Sequence, residues 1–304
     1  MKLVTVKELL DWAENNNRAV VAFNVNNMEL IQAVTETADE MGCPIILQVS
    51  KGARSYASPV YLRKLVEAAC ETVKIPMALH LDHGDSYELC KESIDGGFTS
   101  VMIDGSHLPF EENIALTRRV VDYAKKFGAS VEGELGKIAG IEEHVVNENS
   151  HYTDPAQAAE FVKRTGVTSL AVSIGTAHGA FKYKPGSVPD LRYDILGEIH
   201  KATPDTPLVL HGASSVTASD VATINKFGGD IANAQGVGEA VLARAIPLGV
   251  RKINVDSDLR LAFTAALREY MTKNPAHFDP RQYLSAARTH VKQIVRKKLE
   301  SFTK

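Results

Sequence analysis

The sequence predicts an α/β chain folded as a closed (β/α)8 TIM barrel with an extended lid loop and an extra C-terminal helix. Short β-branched segments alternate with segments of helical period along almost the whole length. The alternation repeats eight times, and eight such units in about 250 residues match this barrel, leaving the rest of the 304 residues for loop and helix. The strands are read at 19–24, 44–50, 75–82, 99–104, 129–135, 168–175, 207–212 and 250–256. Between them, Ile31, Val34, Ala38 and Met41 share a helical face that stops at Gly42. Leu116, Val120, Tyr123 and Phe127 do the same before Gly128, where glycine suits a left-handed helix end. Ser58-Pro59 and Asp154-Pro155 read as an N-cap followed by a first-turn proline, and Leu259, Phe263, Ala266 and Tyr270 form another apolar stripe. The last helix, near 281–301, places Leu284, Ala287, Val291, Ile294 and Phe302 near one face, for the barrel exterior or a second subunit.

No linker or low-complexity run divides the chain, so residues 1–304 read as a single domain. An open doubly wound sheet is the alternative, but its usual GxGxxG is replaced here by Asn24-Val25-Asn26-Asn27. Thirty-four Lys and Arg against 37 Asp and Glu give a net charge of -3, so no basic field attracts nucleic acid or an acidic membrane. No apolar run approaches the roughly 20 residues of a membrane span, and the amphipathic start MKLVTVKELL has no signal segment. Cys43, Cys70 and Cys90 are scattered, which fits a reducing cytoplasm and thiols that pack in the core.

In a barrel the C-terminal strand ends converge on one face, and here they hold Asn24, Ser50, the run His80–Leu81–Asp82–His83, Asp104, Glu134, Gly175 to Gly179, His211-Gly212, and Asn254 to Ser257. A lone histidine is usually a surface or core residue. Three at corresponding strand ends are different: His83, His178 and His211 end strands three, six and seven. Three imidazole nitrogens with an open fourth position describe a catalytic divalent site, with zinc the first choice. Asp82 is either a loop hydrogen-bond partner or a carboxylate that exchanges a proton with substrate. His80 reads as a packed neighbour of that site. Asp104 and Glu134 have three readings: acceptors that orient histidines, a second or alternate metal position, or ion pairs with loop lysines. Glycines and hydroxyls in GTAHG with Lys182, in HGASS, and in Asn254 with Ser257 imply a phosphorylated substrate, since backbone N–H groups approach an anion closely at glycine. The segment 136–153, with Glu142 and Glu143, reads by default as a charged surface loop and equally, because it follows strand five on the catalytic face, as a mobile lid that brings a base to the substrate.

HLDHG (80–84), SVMIDGS (100–106), VEGELG (131–136), IGTAHGAFK (174–182), LVLHGASS (208–215) and INVDSDLR (253–260) together resemble the class II, metal-dependent fructose-1,6-bisphosphate aldolases over nearly the whole chain. The resemblance implies reversible cleavage of fructose 1,6-bisphosphate to dihydroxyacetone phosphate and glyceraldehyde 3-phosphate. It implies zinc on His83, His178 and His211, and a second or displaced metal position at Asp104 and Glu134. Asp82 becomes the proton donor to the aldehyde oxygen in condensation and the acceptor in cleavage, and Glu142 the loop acid for the nucleophilic carbon. Gly179, Lys182, Gly212, Ser214, Asn254 and Ser257 match the dihydroxyacetone-phosphate pocket. Ser50 and Arg260 match contacts to the other half of the substrate, and Asn24 and Asp256 join the substrate-binding set. A Lewis-acid ion stabilises the enediolate without a lysine Schiff base. Tagatose-1,6-bisphosphate aldolases, with the same metal, resemble NVATELK where this chain has NVDSDLR, so Asp256 favours the fructose substrate. Ser257 departs from the threonine of many fructose-type relatives but keeps the hydroxyl.

The resemblance also fits a homodimer or higher homo-oligomer, a cytoplasmic location, and a monovalent cation near the phosphate pocket. Cobalt, manganese and iron are alternatives to zinc. Two other classes fit less well: a metal-dependent barrel hydrolase commonly has HxH on strand one, where this chain has Phe23-Asn24-Val25. A non-catalytic sugar-phosphate binder has no need of Asp82 and three histidines.

Overall fold

The computed structural model describes residues 3–142, 145–147, 151–179, 190–231 and 234–304, with backbone alone for 139–147. Helix α1 (Val6–Asn16) precedes β1 (Val20–Asn24) and α2 (Met28–Met41), and β2 (Ile45–Ser50) leads into α3 (Lys51–Ala57) and α4 (Pro59–Thr72). Then come β3 (Met77–Gly84) with α5 (Tyr87–Asp95) and β4 (Ser100–Ile103) with α6 (Phe110–Ala124). Strand β5 (Ser130–Leu135) is followed by two short strands, β6 (Ala139–Glu142) and β7 (Val145–Asn147), and by α7 (Pro155–Thr165). Strands β8 (Ser169–Val172) and β9 (Ala177–His178) precede α8 (Tyr193–Ala202); β10 (Leu208–Leu210) precedes α9 (Ala218–Lys226) and α10 (Glu239–Ala243). Strand β11 (Val250–Val255) runs into α11 (Ser257–Lys273) and α12 (Pro280–Phe302).

Eight of these strands close into a parallel barrel in the order β1-β11-β10-β8-β5-β4-β3-β2. The local signals act as read: Asn27 caps α2, Gly42 ends it at φ 65°, and Asp154 caps α7 ahead of Pro155. Strand periodicity then sorts the side chains. Val21 and Phe23 of β1 join the large apolar cluster under the helices, while Val20 and Ala22 belong to a separate cluster with Ile46 and Ala78. The amphipathic N-terminus is α1, and its Val6, Leu9, Leu10 and Ala13 complete that inner cluster, closing the barrel where the strands begin. Glu14 fixes the helix by pairing with Arg251 at 2.6 Å.

Three expectations are revised. The lid segment is more than a loop: β6 and β7 form an antiparallel pair, and β9 adds alongside β6. Extended backbone leaving a sheet needs partners for its N–H and C=O groups, and this small sheet supplies them. The sixth barrel strand ends at Val172, so His178 lies on β9 rather than at the end of that strand. The third strand runs on to Gly84, and its pairing with β4 shifts between Leu81 and Gly84 while His83 takes φ 45°. That irregularity breaks the strict alternation of the pleat, so Asp82 and His83 both reach the barrel mouth.

Helix α12 buries Ala287, Val291, Ile294, Val295, Leu299 and Phe302 on the barrel exterior, the first of its two expected places. Lys292 pairs with Glu36 at 2.6 Å and Arg296 with Glu40 at 2.7 Å, which ties α12 to α2. Its C-terminus returns to the first strand: the Ala19 N–H donates to the Phe302 carbonyl at 2.9 Å.

His290 of α12 reaches Asp220 of α9 at 2.6 Å. The Asp220 hydrogen bond raises the imidazole pKa from its ordinary 6.5 more than burial lowers it, with Gln293 and the Glu269 charge adding to the rise. The folded chain therefore holds this proton more firmly than the unfolded one, and the stabilisation is complete below 6.5 and lost as pH rises through the folded value. His290→Gln should lower the urea midpoint at pH 6 and have little effect at pH 9; equal losses at both would contradict the linkage.

Candidate metal centre

The barrel mouth gathers side chains from segments far apart in sequence. One nitrogen from each of His83, His178 and His211 lies within 4.8 Å of the other two. His83 Nε2 and His211 Nδ1 are 2.9 Å apart, and the His178 ring centroid stands 5.2 Å from that of His83 and 6.0 Å from that of His211. A tetrahedral ion with metal–nitrogen bonds of about 2.0 Å sets its ligands about 3.3 Å apart, so this donor set fits a divalent cation. Three neutral imidazoles of borderline softness suit zinc and its neighbours.

The outward nitrogens fix how the rings face. His83 Nδ1 lies 3.1 Å from Asp104 Oδ2 and 3.8 Å from Glu134 Oε2, which turns Nε2 inward. His211 Nε2 lies 2.7 Å from Glu132 Oε1, which turns Nδ1 inward. Each of these two rings has a carboxylate behind it, an arrangement that selects the tautomer and raises ligand basicity. Burial raises the Asp104 pKa, but the His83 hydrogen bond and charge, with two bonds from Ser106, hold the carboxyl well below its usual range. Burial, opposed by the Glu132 hydrogen bond and assisted by the His83 charge, lowers His211.

Behind His211 lies a polar layer that the sequence reading missed. Glu132 Oε2 accepts from Lys252 Nζ at 2.8 Å, and both side chains are 0% exposed. Burial pushes the Glu132 pKa up, and the Lys252 charge and His211 hydrogen bond outweigh it, leaving the carboxyl strongly lowered. His80 occupies the same layer, with Nδ1 2.8 Å from Ser100 Oγ and Nε2 3.5 Å from Lys252 Nζ. Burial first, then the Lys252 charge, holds this imidazole far below its ordinary value and so neutral. Strand period offered the missing signal: Glu132 is two residues before Glu134, and Lys252 two before Asn254, so each shares its neighbour's inward face.

Asp82 is 2% exposed and is held by amides. Asn24 Nδ2 donates to Oδ2 at 2.7 Å; Gln48 Nε2 lies 3.4 Å from Oδ2 and Asn254 Nδ2 3.5 Å from Oδ1. Gln48, also missed, further donates to Asn24 Oδ1 at 2.5 Å. Ser50 caps α3 by accepting the Ala53 N–H. Gly212 takes φ 61°, and a Cβ there would lie 2.5 Å from the Ala177 carbonyl oxygen, so the loops after β8 and β10 touch backbone to backbone only because it is glycine. Gly179 is likewise left-handed at φ 83°. Ser214 Oγ accepts the Asp256 N–H at 3.3 Å, Ser257 opens α11, and Asp256 pairs with Arg260 at 2.7 Å at the mouth. Lys182 and Glu143 lie outside the described residues, and of Glu142 only the backbone, in β6, is described.

The model of the family "Fructose-bisphosphate aldolase class-II" matches residues 4–304. A fructose-bisphosphate aldolase of Treponema pallidum is 47% identical over 309 residues, covering 96% of this chain and 93% of that protein. One from Thermus caldophilus is 47% identical over 302 residues, covering 99% and 98%. Among solved structures, the YdjI aldolase of Escherichia coli K12 superposes with a TM-score of 0.78 at 31% identity, covering 99% of this chain and 97% of that one.

Glu132→Gln keeps the shape of the side chain but leaves the Lys252 ammonium buried without its counter-charge. It should destabilise the fold by about 3–5 kcal/mol and weaken zinc binding about 10- to 100-fold, read by urea unfolding and by competition with a chromogenic chelator. Adding Lys252→Met should recover much of the stability and none of the metal affinity.

Proposed function

This chain belongs to the class II fructose-bisphosphate aldolase family, and from that premise we propose how its residues divide the reversible cleavage of fructose 1,6-bisphosphate into dihydroxyacetone phosphate and glyceraldehyde 3-phosphate. His83 through Nε2, His211 through Nδ1, and His178 would hold a Zn²⁺ ion. Bound there, the ion supplies Lewis acidity toward the ketose carbonyl. Asp104 and Glu134, which with His83 form a second group of possible ligands within 4.8 Å, offer an alternate position.

Asp82 takes the proton of the C4 hydroxyl in cleavage and returns it to the aldehyde oxygen in condensation. The amides of Asn24, Gln48 and Asn254 aim its carboxylate, and aim matters because proton transfer needs hydrogen-bond reach. Glu142 handles the proton at the nucleophilic carbon. Gly179, Lys182, Gly212, Ser214, Asn254 and Ser257 hold the dihydroxyacetone-phosphate half, with Ser257 at a helix start where anions are favoured. Ser50 and Arg260 hold the other end, and Asp256, already bound to Arg260, discriminates fructose from tagatose bisphosphate. A monovalent cation beside the phosphate completes the reading.

The observation that carries it is the meeting of three imidazoles from three separate segments of the chain, two of them backed by carboxylates. We read the whole chain as one domain because its ends join at Ala19 and Phe302. No helix among the described residues is long and apolar enough to cross a membrane. Cys43, Cys70 and Cys90 are buried free thiols, and with the family's chemistry they support a cytoplasmic place. We further read the protein as a homodimer or higher homo-oligomer.

Chelator should abolish release of triose phosphate from fructose 1,6-bisphosphate, and zinc should restore it; cleavage that persists in chelator removes the proposed centre. Asp82→Ala should retain its metal while turnover falls by about 10²- to 10⁴-fold. A variant with wild-type rate excludes Asp82 from the chemistry.

A further inference from the structure

The C-terminal helix sends one lysine inward, where nothing in the catalytic reading uses it. Lys298 of α12 is 1% exposed. Its Nζ lies 2.6 Å from Asp258 Oδ2, 2.6 Å from Ser215 Oγ and 3.0 Å from Glu239 Oε1, which accounts for the three donors of an ammonium. Asp258, in the first turn of α11, is as firmly committed on its other side. Its Oδ2 accepts the Ser215 N–H at 2.9 Å and its Oδ1 the Val216 N–H at 2.6 Å. Val216 sits at φ 52°, a conformation that a β-branched residue adopts only when its surroundings impose it. The turn is also clamped from outside: the Val237 N–H donates to the Ser214 carbonyl at 3.1 Å, and a Cβ at Gly236 would lie 2.2 Å from that oxygen.

We infer that Lys298 is a positioning residue for the phosphate end of the substrate: through Asp258 and Ser215 it holds the 212–216 turn, with Gly212 and Ser214, in the conformation that receives a phosphate monoester dianion. The inference rests on the proposed placement of that phosphate. Charge supplies the second half of the argument. Asp258 puts a carboxylate in the first turn of the helix whose start should attract the anion, and Glu239 adds another. Burial raises the Glu239 pKa, while Lys298 and Lys297 bring it down to about 2, so the carboxylate is charged at neutral pH. Lys298 cancels negative charge that would otherwise repel a dianion held at this turn.

The test measures dihydroxyacetone phosphate binding by calorimetry, KM and kcat for fructose 1,6-bisphosphate, and metal per chain, on the metal-loaded full-length protein and its variants. Lys298→Met should weaken binding and raise KM about tenfold, with kcat within about twofold and metal content unchanged. Lys298→Arg, which keeps the charge, should recover most of the loss. Should Lys298→Met fail to fold, Ser215→Ala decides instead, because it keeps the lysine and removes one contact: a KM raised about threefold supports the inference, and an unchanged KM overturns it. If Ser214→Ala weakens binding and Lys298→Met does not, the inference fails while the phosphate placement stands. If neither variant affects binding, the placement fails and takes the inference with it. A lower kcat at unchanged KM also overturns it.

Discussion

A charged pair inside the barrel governs the rest of this architecture. Glu132 and Lys252 are both fully enclosed, and such a pair persists only where each charge answers the other and the remaining donors and acceptors are used. Here the spare oxygen of Glu132 goes to His211, so the interior electrostatics also set which nitrogen that histidine turns toward the mouth. Stability and ligand geometry share one carboxylate. The barrel can hold this pair because apolar side chains enclose it: Met102, Ala171 and Val209 pack together on neighbouring strands, and α1 shuts the end of the barrel against water with Leu9 and Leu10.

Much of the architecture was legible from periodicity alone, because strand and helix signals are local. The alternation of β-branched runs with helical stripes gave eight strands near their observed positions, and Gly42, Ser58-Pro59 and Asp154-Pro155 marked helix ends as they stand. The residues at strand ends could also be read, since closing a parallel barrel brings them together whatever their sequence distance. What escaped was set by tertiary context. Nothing in HLDHG announces that His83 adopts a left-handed conformation at a pairing irregularity. Nor does GTAHG announce that its histidine belongs to a second small sheet, because the partner strand β6 lies more than thirty residues upstream. Glu132 and Lys252 escape for a different reason. Both sit one inward step deeper than the strand ends, where a barrel is normally filled with branched apolar side chains.

The site therefore combines two kinds of support. Asp82 is surrounded by neutral amides, which orient it without adding charge, while two of the histidines are backed by carboxylates, which do add charge. The division suits the roles proposed for them: a carboxylate that shuttles protons is steered, and imidazoles that hold a cation are made more basic. Glycine serves a third purpose where the loops after β8 and β10 meet, letting two backbones approach where no side chain fits.

The hydrogen bond between Ala19 and Phe302 has a bearing on the order of assembly. The segment entering the first strand is completed from the far end of α12, and that helix seals both the seam and the turn bearing Ser214 and Ser215. A contact so distant in sequence has a large loop to close, whereas neighbouring strands of the wall pair across shorter ones. Without α12 the first strand would lack its outer cover and the turn its lysine.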